Sequence, residues 1–139
     1  MGSGSSKPKD RPITGSPAMH GKRTALFNGL LYRIIDDSTG TWGFYNNSQD
    51  YEFYVMYLFD IGSTIQPLNQ TSMVEQDDGF LCEVAVLPSE TQRFIVGDVT
   101  GYESKIEARP LADEYFQSHP FLDERDYYRR VAAPRAAAF

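Results

Sequence analysis

The sequence contains one cysteine and two histidines, the residue types that nucleophilic catalysis and metal binding most often require. Cys82 lies in an apolar run beside Glu83, and both an apolar environment and a neighbouring carboxylate raise the pKa of a thiol. His20 and His119 are distant from Cys82 and from each other in sequence. We therefore expect Cys82 to be a core residue and the chain to lack the Cys-His-Asn constellation of a cysteine protease.

Two pairs of adjacent carboxylates, Asp36-Asp37 and Asp77-Asp78, fall in turn-like segments. The second pair precedes Gly79, and Asp-Gly is typical of a hairpin turn. A loose calcium site is the alternative, although the ligand series of an EF-hand loop is absent. The sequence also lacks a Gly-rich phosphate loop. We expect no metal, no cofactor and no enzymatic activity.

The first seven residues, MGSGSSK, fit the N-myristoylation pattern, in which Gly2 becomes the acyl acceptor after removal of Met1 and Ser6 supplies the required hydroxyl residue. The same residues also have the composition of a cloning linker. A single myristoyl chain binds membranes only marginally, with K of about 10⁴ M⁻¹, and needs a second signal.

A basic segment follows this motif and could supply the second signal. Residues 1–23 have a net charge of +4, which leaves −10 for the rest of a chain whose total is −6. Each basic side chain adds up to about 1 kcal/mol near an anionic leaflet. The acidic total argues against nucleic acid as a partner. The predicted membrane-contacting cations are Lys7, Lys9, Arg11, Lys22 and Arg23.

Aromatic residues make up 14% of the chain, and apolar runs at 41–45, 51–59, 80–87, 92–96 and 102–108 alternate with turn residues. This spacing predicts an all-β fold, either an antiparallel β-sandwich or an open-sided β-barrel. Short helical turns are expected within 111–130, divided by Pro120. We therefore divide the chain into a flexible, disordered tail over 1–23, a β-domain over 24–118 and a partly disordered C-terminal extension over 119–139.

The run 51–59 has aromatic or aliphatic residues on both faces of the predicted strand. One interpretation is a central strand that is buried on both sides. The other is an apolar face open to an acyl chain, such as that of a fatty acid or lysophospholipid, or to a partner's strand. The possible binding face consists of Phe53, Val55, Tyr57 and Phe59 with Tyr54 and Met56 on the reverse.

Segments 27–32, 42–46 and 50–52, with 87–91 and 99–105, resemble the small domain of kinetoplastid calpain-related proteins. With Gly2 in front, the chain is similar to the small myristoylated proteins of that family. The resemblance implies an all-β domain without protease activity, dual acylation, and placement at the inner face of the plasma or flagellar membrane. The family carries Cys at the position of Ser3, and neither Ser3 nor Ser5 can be palmitoylated, so engineered replacement is one explanation of both serines.

Two functions follow from these observations. The first is a non-catalytic, N-acylated protein at the cytoplasmic leaflet, whose β-domain binds lipid or protein. The second is a soluble β-sandwich adaptor that binds an unknown protein partner and no lipid.

Overall fold

The computed structural model describes residues 10–137, and its side chains over 10–131. In this part of the chain, nine strands form two antiparallel sheets that pack as a β-sandwich, which confirms the predicted fold class. The strands are β1 (Lys22–Leu26), β2 (Leu31–Asp36), β3 (Thr41–Asn46), β4 (Tyr51–Asp60), β5 (Thr64–Pro67), β6 (Ser72–Gln76), β7 (Gly79–Val86), β8 (Thr91–Asp98) and β9 (Tyr102–Pro110).

The first sheet has the order β1-β2-β3-β8-β5, and the second has the order β6-β7-β4-β9. The predicted turn at Asp77-Asp78 is a two-residue hairpin loop, since Gln76 pairs with Gly79. Two helices follow the sheets, α1 (Asp113–Ser118) and α2 (Glu124–Ala137), and Pro120 lies between them as predicted. Neither described helix is long and apolar enough to cross a membrane.

The main core lies between the two sheets because each strand turns its apolar positions inward. Phe53, Val55, Tyr57 and Phe59 of β4 alternate with half-exposed neighbours and are at most 1% exposed. Burial of an aromatic or aliphatic side chain of this size stabilises the fold by about 1.5–3 kcal/mol. Their partners from the other sheet include Leu31, Phe44, Phe94 and Ile95.

The prediction of a flexible tail is wrong for residues 10–23, because these residues pack as part of the β-domain. Met19 is 5% exposed and packs with Ile34 and Tyr45 on the outer face of the first sheet. The edge strand β1 already begins at Lys22. We call residues 10–21 the strap.

The strap is fastened by the side chain of Asn47, which is 3% exposed. Its amide nitrogen donates to the carbonyls of Pro12 and Gly29, at 2.9 Å each. Its oxygen accepts from the backbone N–H of Thr14 at 3.0 Å and from the Thr14 hydroxyl at 3.1 Å. The sequence pattern alone places Asn47 among the turn residues between the apolar runs 41–45 and 51–59.

The predicted boundary at 118/119 also divides residues that pack together. Leu111, Phe116, Tyr127 and Val131 form one buried cluster against Tyr51, so both helices rest on the start of β4. Within the extension that was predicted to be partly disordered, residues Glu124–Ala137 form helix α2.

Candidate functional site

Arg33 lies in the centre of β2 and points between the two sheets, on the same side of the strand as the buried Leu31. One terminal guanidinium nitrogen, Nη1, donates to the hydroxyl of Tyr102 at 2.9 Å and to that of Tyr57 at 3.3 Å. Tyr57 and Tyr102 belong to β4 and β9 of the opposite sheet. A single cation therefore joins the two sheets beside the free edge of β9.

Aromatic rings surround this guanidinium. Its central carbon lies 5.4 Å from the ring centroid of Trp42 and 5.7 Å from that of Tyr102, both within the range of cation–π attraction. Trp42 and Tyr102 meet edge to face at 5.5 Å, and Tyr57 stacks on Tyr102 at 5.1 Å. We call Arg33, Trp42, Tyr57 and Tyr102 the Arg33 cluster.

The positive charge of the cluster is not neutralised within residues 10–131, where Arg33 takes part in no ion pair. Its Nε–H is buried and finds no hydrogen-bond partner in the same part of the chain. Burial disfavours the charged guanidinium, but the hydrogen bonds to Tyr57 and Tyr102 outweigh it and raise the pKa of Arg33. For Tyr57 the effect of burial has the opposite sign: burial raises the pKa of its hydroxyl, and the nearby Arg33 opposes this shift.

A fixed guanidinium with unused donors is suited to a carboxylate or a phosphate. The surface at this point is partly apolar, since Tyr102 is 40% exposed and Trp42 is half-buried. The Arg33 cluster can therefore receive an anionic group that carries an apolar chain.

The predicted apolar face of β4 does not exist as one surface. Phe53, Val55 and Phe59 are buried in the core because the opposite sheet covers them, so their prediction as a binding face is wrong. Tyr57 is buried too, but its hydroxyl reaches Arg33. On the reverse side Tyr54 and Met56 are half-buried, and the hydroxyl of Tyr54 donates to Glu83.

The predicted membrane-contacting cations lie in different places. Lys22 and Arg23 are exposed at the start of the edge strand β1. Arg11 is also exposed, but the strap holds its backbone, since its N–H donates to Asn28 at 2.9 Å. Gly2, Lys7 and Lys9 lie outside the described residues.

Cys82 is fully buried in β7, and this burial raises its pKa to about 11. His119 stacks on Tyr115 at 4.0 Å near the end of α1, and His20 is exposed at the end of the strap. Asp36 accepts hydrogen bonds from Ser38 within its turn, and the Ser38 hydroxyl lowers its pKa. The described side chains include no group of three or more His, Cys, Asp or Glu residues placed to hold a metal.

Sequence reasoning missed Arg33, the central member of the cluster. It stands in the apolar run 30–35, at the position two residues from Leu31 on the same face of the strand. A charged residue at an inward position of such a strand is uncommon and was the available signal. Trp42 comes from the neighbouring strand β3, but Tyr57 and Tyr102 come from the opposite sheet, and no local pattern identifies them as partners of Arg33.

The fold and the Arg33 cluster define a small two-sheet β-sandwich domain with a helical C-terminal extension. Residues 13–111 match the family described as a domain of unknown function, DUF1935, and the chain belongs to that family. This match begins inside the strap, in agreement with its place in the domain. The likeness to calpain-related proteins remains a resemblance, because neither the family match nor the similar structures carry that name.

Two solved structures are similar to the chain. A Leishmania major hypothetical protein is 42% identical, with a TM-score of 0.68 over 73% of this chain and 93% of that one. SMP-1 (Small Myristoylated Protein) from Leishmania major is 35% identical, with a TM-score of 0.73 over 89% of this chain and 100% of that one. No curated protein matches.

Proposed function

We propose that this chain is a non-catalytic, N-acylated protein that attaches to the cytoplasmic face of the plasma or flagellar membrane through a myristate on Gly2. The observation that carries the proposal is the similarity to a small myristoylated protein over that protein's entire chain, together with the acylation pattern at Gly2. Lys7, Lys9, Lys22 and Arg23 add attraction to anionic lipid. The raised pKa of Cys82 supports the absence of cysteine protease activity, since the thiol stays protonated near neutral pH.

Liposome flotation tests the anchor. The protein is co-expressed with an N-myristoyltransferase, and its intact mass reports the acyl chain. We expect the wild type and the matched Gly4→Ala variant to float with anionic liposomes and Gly2→Ala to stay behind. Equal recovery of Gly2→Ala and the wild type would overturn the proposal.

The same proposal includes a lipid ligand for the β-domain, a fatty acid or a lysophospholipid whose carboxylate or phosphate pairs with Arg33. The guanidinium, which no ion pair neutralises among the described residues, supports this ligand class. The half-buried ring of Trp42 and the exposed part of Tyr102 would contact the first carbons of the acyl chain.

Trp42 is the single tryptophan of the chain and reports on this site directly. Titration of non-acylated protein with monomeric lysophospholipid or fatty acid should change its fluorescence. Arg33→Gln should weaken binding by about tenfold, because a charge-assisted pair is lost. Arg125→Gln, an exposed arginine on α2, is the matched control. Unchanged affinity in Arg33→Gln would remove the cluster from lipid recognition.

One observation favours the second function, a β-sandwich adaptor for a protein partner. Val74, Leu81 and Leu58 stand side by side across β6, β7 and β4 on the outer face of the second sheet. Val74 is 54% exposed, and Leu81 and Leu58 are half-buried. Val74→Asp should disrupt an adaptor complex from native cells and leave flotation unchanged, which separates the two functions.

A further inference from the structure

A cavity of about 580 Å³ lies between the two C-terminal helices and the turn that precedes β4, where Gln49 and Asp50 contribute to its lining. Ligand pockets commonly have volumes of about 300–1,000 Å³. The Arg33 cluster contributes none of its lining, and neither function proposed above uses it. The cavity therefore needs an explanation of its own.

The inner wall of this cavity is apolar and aromatic, and its rim carries apolar side chains that the described protein leaves uncovered. Leu111, Phe116 and Tyr127 of the wall are at most 8% exposed. At the rim, Phe121 is fully exposed and Leu122 is 46% exposed. Exposed apolar groups around a concave site indicate an apolar occupant.

Several charged residues of the rim are already paired with one another. Arg130 donates to Asp50 at 2.8 Å and to Asp126 at 3.1 Å. These pairs leave no strong demand for an ionic ligand at Arg130. Among the carboxylates of the lining, Asp123 takes part in no ion pair with a described residue, whereas Asp50 and Asp126 both do.

The N-terminal end of the described chain reaches the same cavity. Arg11 contributes to its lining, and the strap fixes the backbone of Arg11 beside Asn28. Gly2 is nine residues before Arg11, and nine residues extend to at most about 30 Å. An acyl group on Gly2 is therefore within reach of the cavity.

We propose that this cavity receives the myristoyl chain of its own molecule, so that the acyl group exchanges between the protein and the membrane. This inference rests on the proposed acylation of Gly2. A short tether gives an effective concentration in the millimolar range. A single myristate binds membranes only with K of about 10⁴ M⁻¹, so an intramolecular site of modest affinity competes with the bilayer.

The test uses protein co-expressed with an N-myristoyltransferase and verified by intact mass. ¹⁵N spectra of acylated wild type and of Gly2→Ala are compared without lipid. We expect differences at the backbone amides of Leu111, Tyr115, Phe116, Phe121 and Leu122. The partition coefficient into anionic liposomes should be at least about threefold higher for acylated Leu122→Asp than for the acylated wild type. The reason is that fewer molecules of the variant hold the myristoyl chain in the cavity.

Ile61→Asp is the matched control, because it adds the same charge at a 51% exposed residue in the turn after β4, outside the cavity lining. It should leave partitioning within the error of the wild type. Acylated protein that floats normally but shows no change at the cavity amides would overturn this inference and leave the proposed anchor intact. A mass without myristate would overturn both.

Discussion

The guanidinium of Arg33 donates a hydrogen bond to the hydroxyl of Tyr102 at 2.9 Å and thereby connects β2 of one sheet with β9 of the other. Most contacts between the sheets are apolar, so this bond is an exception in the packing of the sandwich. It holds the guanidinium against the aromatic rings while its Nε–H stays unpartnered among the described residues. The geometry keeps a cation in place at some cost in unsatisfied hydrogen bonding.

The stability contribution of this pair can be measured with a double-mutant cycle. Tyr102→Phe keeps the ring and removes the acceptor, and we expect a loss of about 1 kcal/mol in the free energy of unfolding by urea. In an Arg33→Gln background the same change should cost less, with a coupling energy of about 0.5 kcal/mol or more. Additive effects of the two substitutions would show that the hydrogen bond contributes no measurable stability.

The second prediction concerns Asn47, whose side chain joins the strap and the turn before β2 to the end of β3. Asn47→Ala leaves two carbonyls and the Thr14 donors without their partner, and we expect a loss of about 3 kcal/mol in the free energy of unfolding. Hydrogen exchange should accelerate most at the amides of Arg11 and Thr14.

Gln49→Ala is the control for this substitution, since Gln49 is exposed and donates only to the surface hydroxyl of Ser89. It should cost less than about 0.5 kcal/mol. Equal exchange at the strap amides in Asn47→Ala and in the wild type would contradict the proposed role of Asn47.

The strands that could be predicted from the sequence are those with their own apolar pattern, such as β4 and β7. The missed strands β5 and β6 are short or polar and lie at sheet edges, where pairing with a neighbour rather than burial stabilises them. At the other edge of the first sheet, β1 begins with two charged residues and was not predicted, and an apolar run leads from its last residue into β2. The 3₁₀ turn between them, Phe27–Gly29, contains positive φ angles at Phe27 and Asn28 that an apolar run does not indicate.

The site was less predictable than the strands for a related reason. Alternation correctly separated the two faces of β4, but the sequence could not tell which face the other sheet would cover. Tyr57 was singled out as a candidate, whereas its partner Arg33 was not. Their contact depends on how two sheets stack, and residues that are 24 positions apart carry no local signal of it.

Cys82 provides a pH-dependent prediction. Burial raises its pKa from about 9 to about 11, so the folded state favours the neutral thiol. This contribution to stability is complete below pH 9 and is lost as the pH rises towards 11, because the unfolded thiol ionises first. The stability advantage of the wild type over Cys82→Ala should therefore shrink by on the order of 2 kcal/mol across this range.

Urea denaturation at several pH values measures this difference, and the cavity left by Ala contributes equally at each pH. In parallel, a thiol reagent at pH 8 should label Cys82 only after unfolding. Rapid labelling of the native protein would show that the thiol is accessible and would reopen the question of its reactivity.

Tyr127 joins helix α2 to the backbone of the sandwich, and we expect it to keep the C-terminal helices docked there. Its hydroxyl donates to the carbonyl of Asp50 at 2.6 Å and accepts from the N–H of Leu111 at 2.9 Å, and the residue is 2% exposed. Tyr127→Phe preserves the ring in its buried cluster but leaves both backbone groups unsatisfied, at a cost of about 1–3 kcal/mol.

Because the helical cluster is separate from the main core, the loss in Tyr127→Phe should be local. We expect faster hydrogen exchange in α1 and α2, with unchanged protection at Val55 in the centre of β4. Tyr128→Phe is the matched control, since Tyr128 is 43% exposed and the loss of its hydroxyl breaks neither hydrogen bond of Tyr127. A uniform loss of protection through the sandwich would instead mean that the helices and the sheets unfold as one cooperative unit, with Tyr127 as part of the global core.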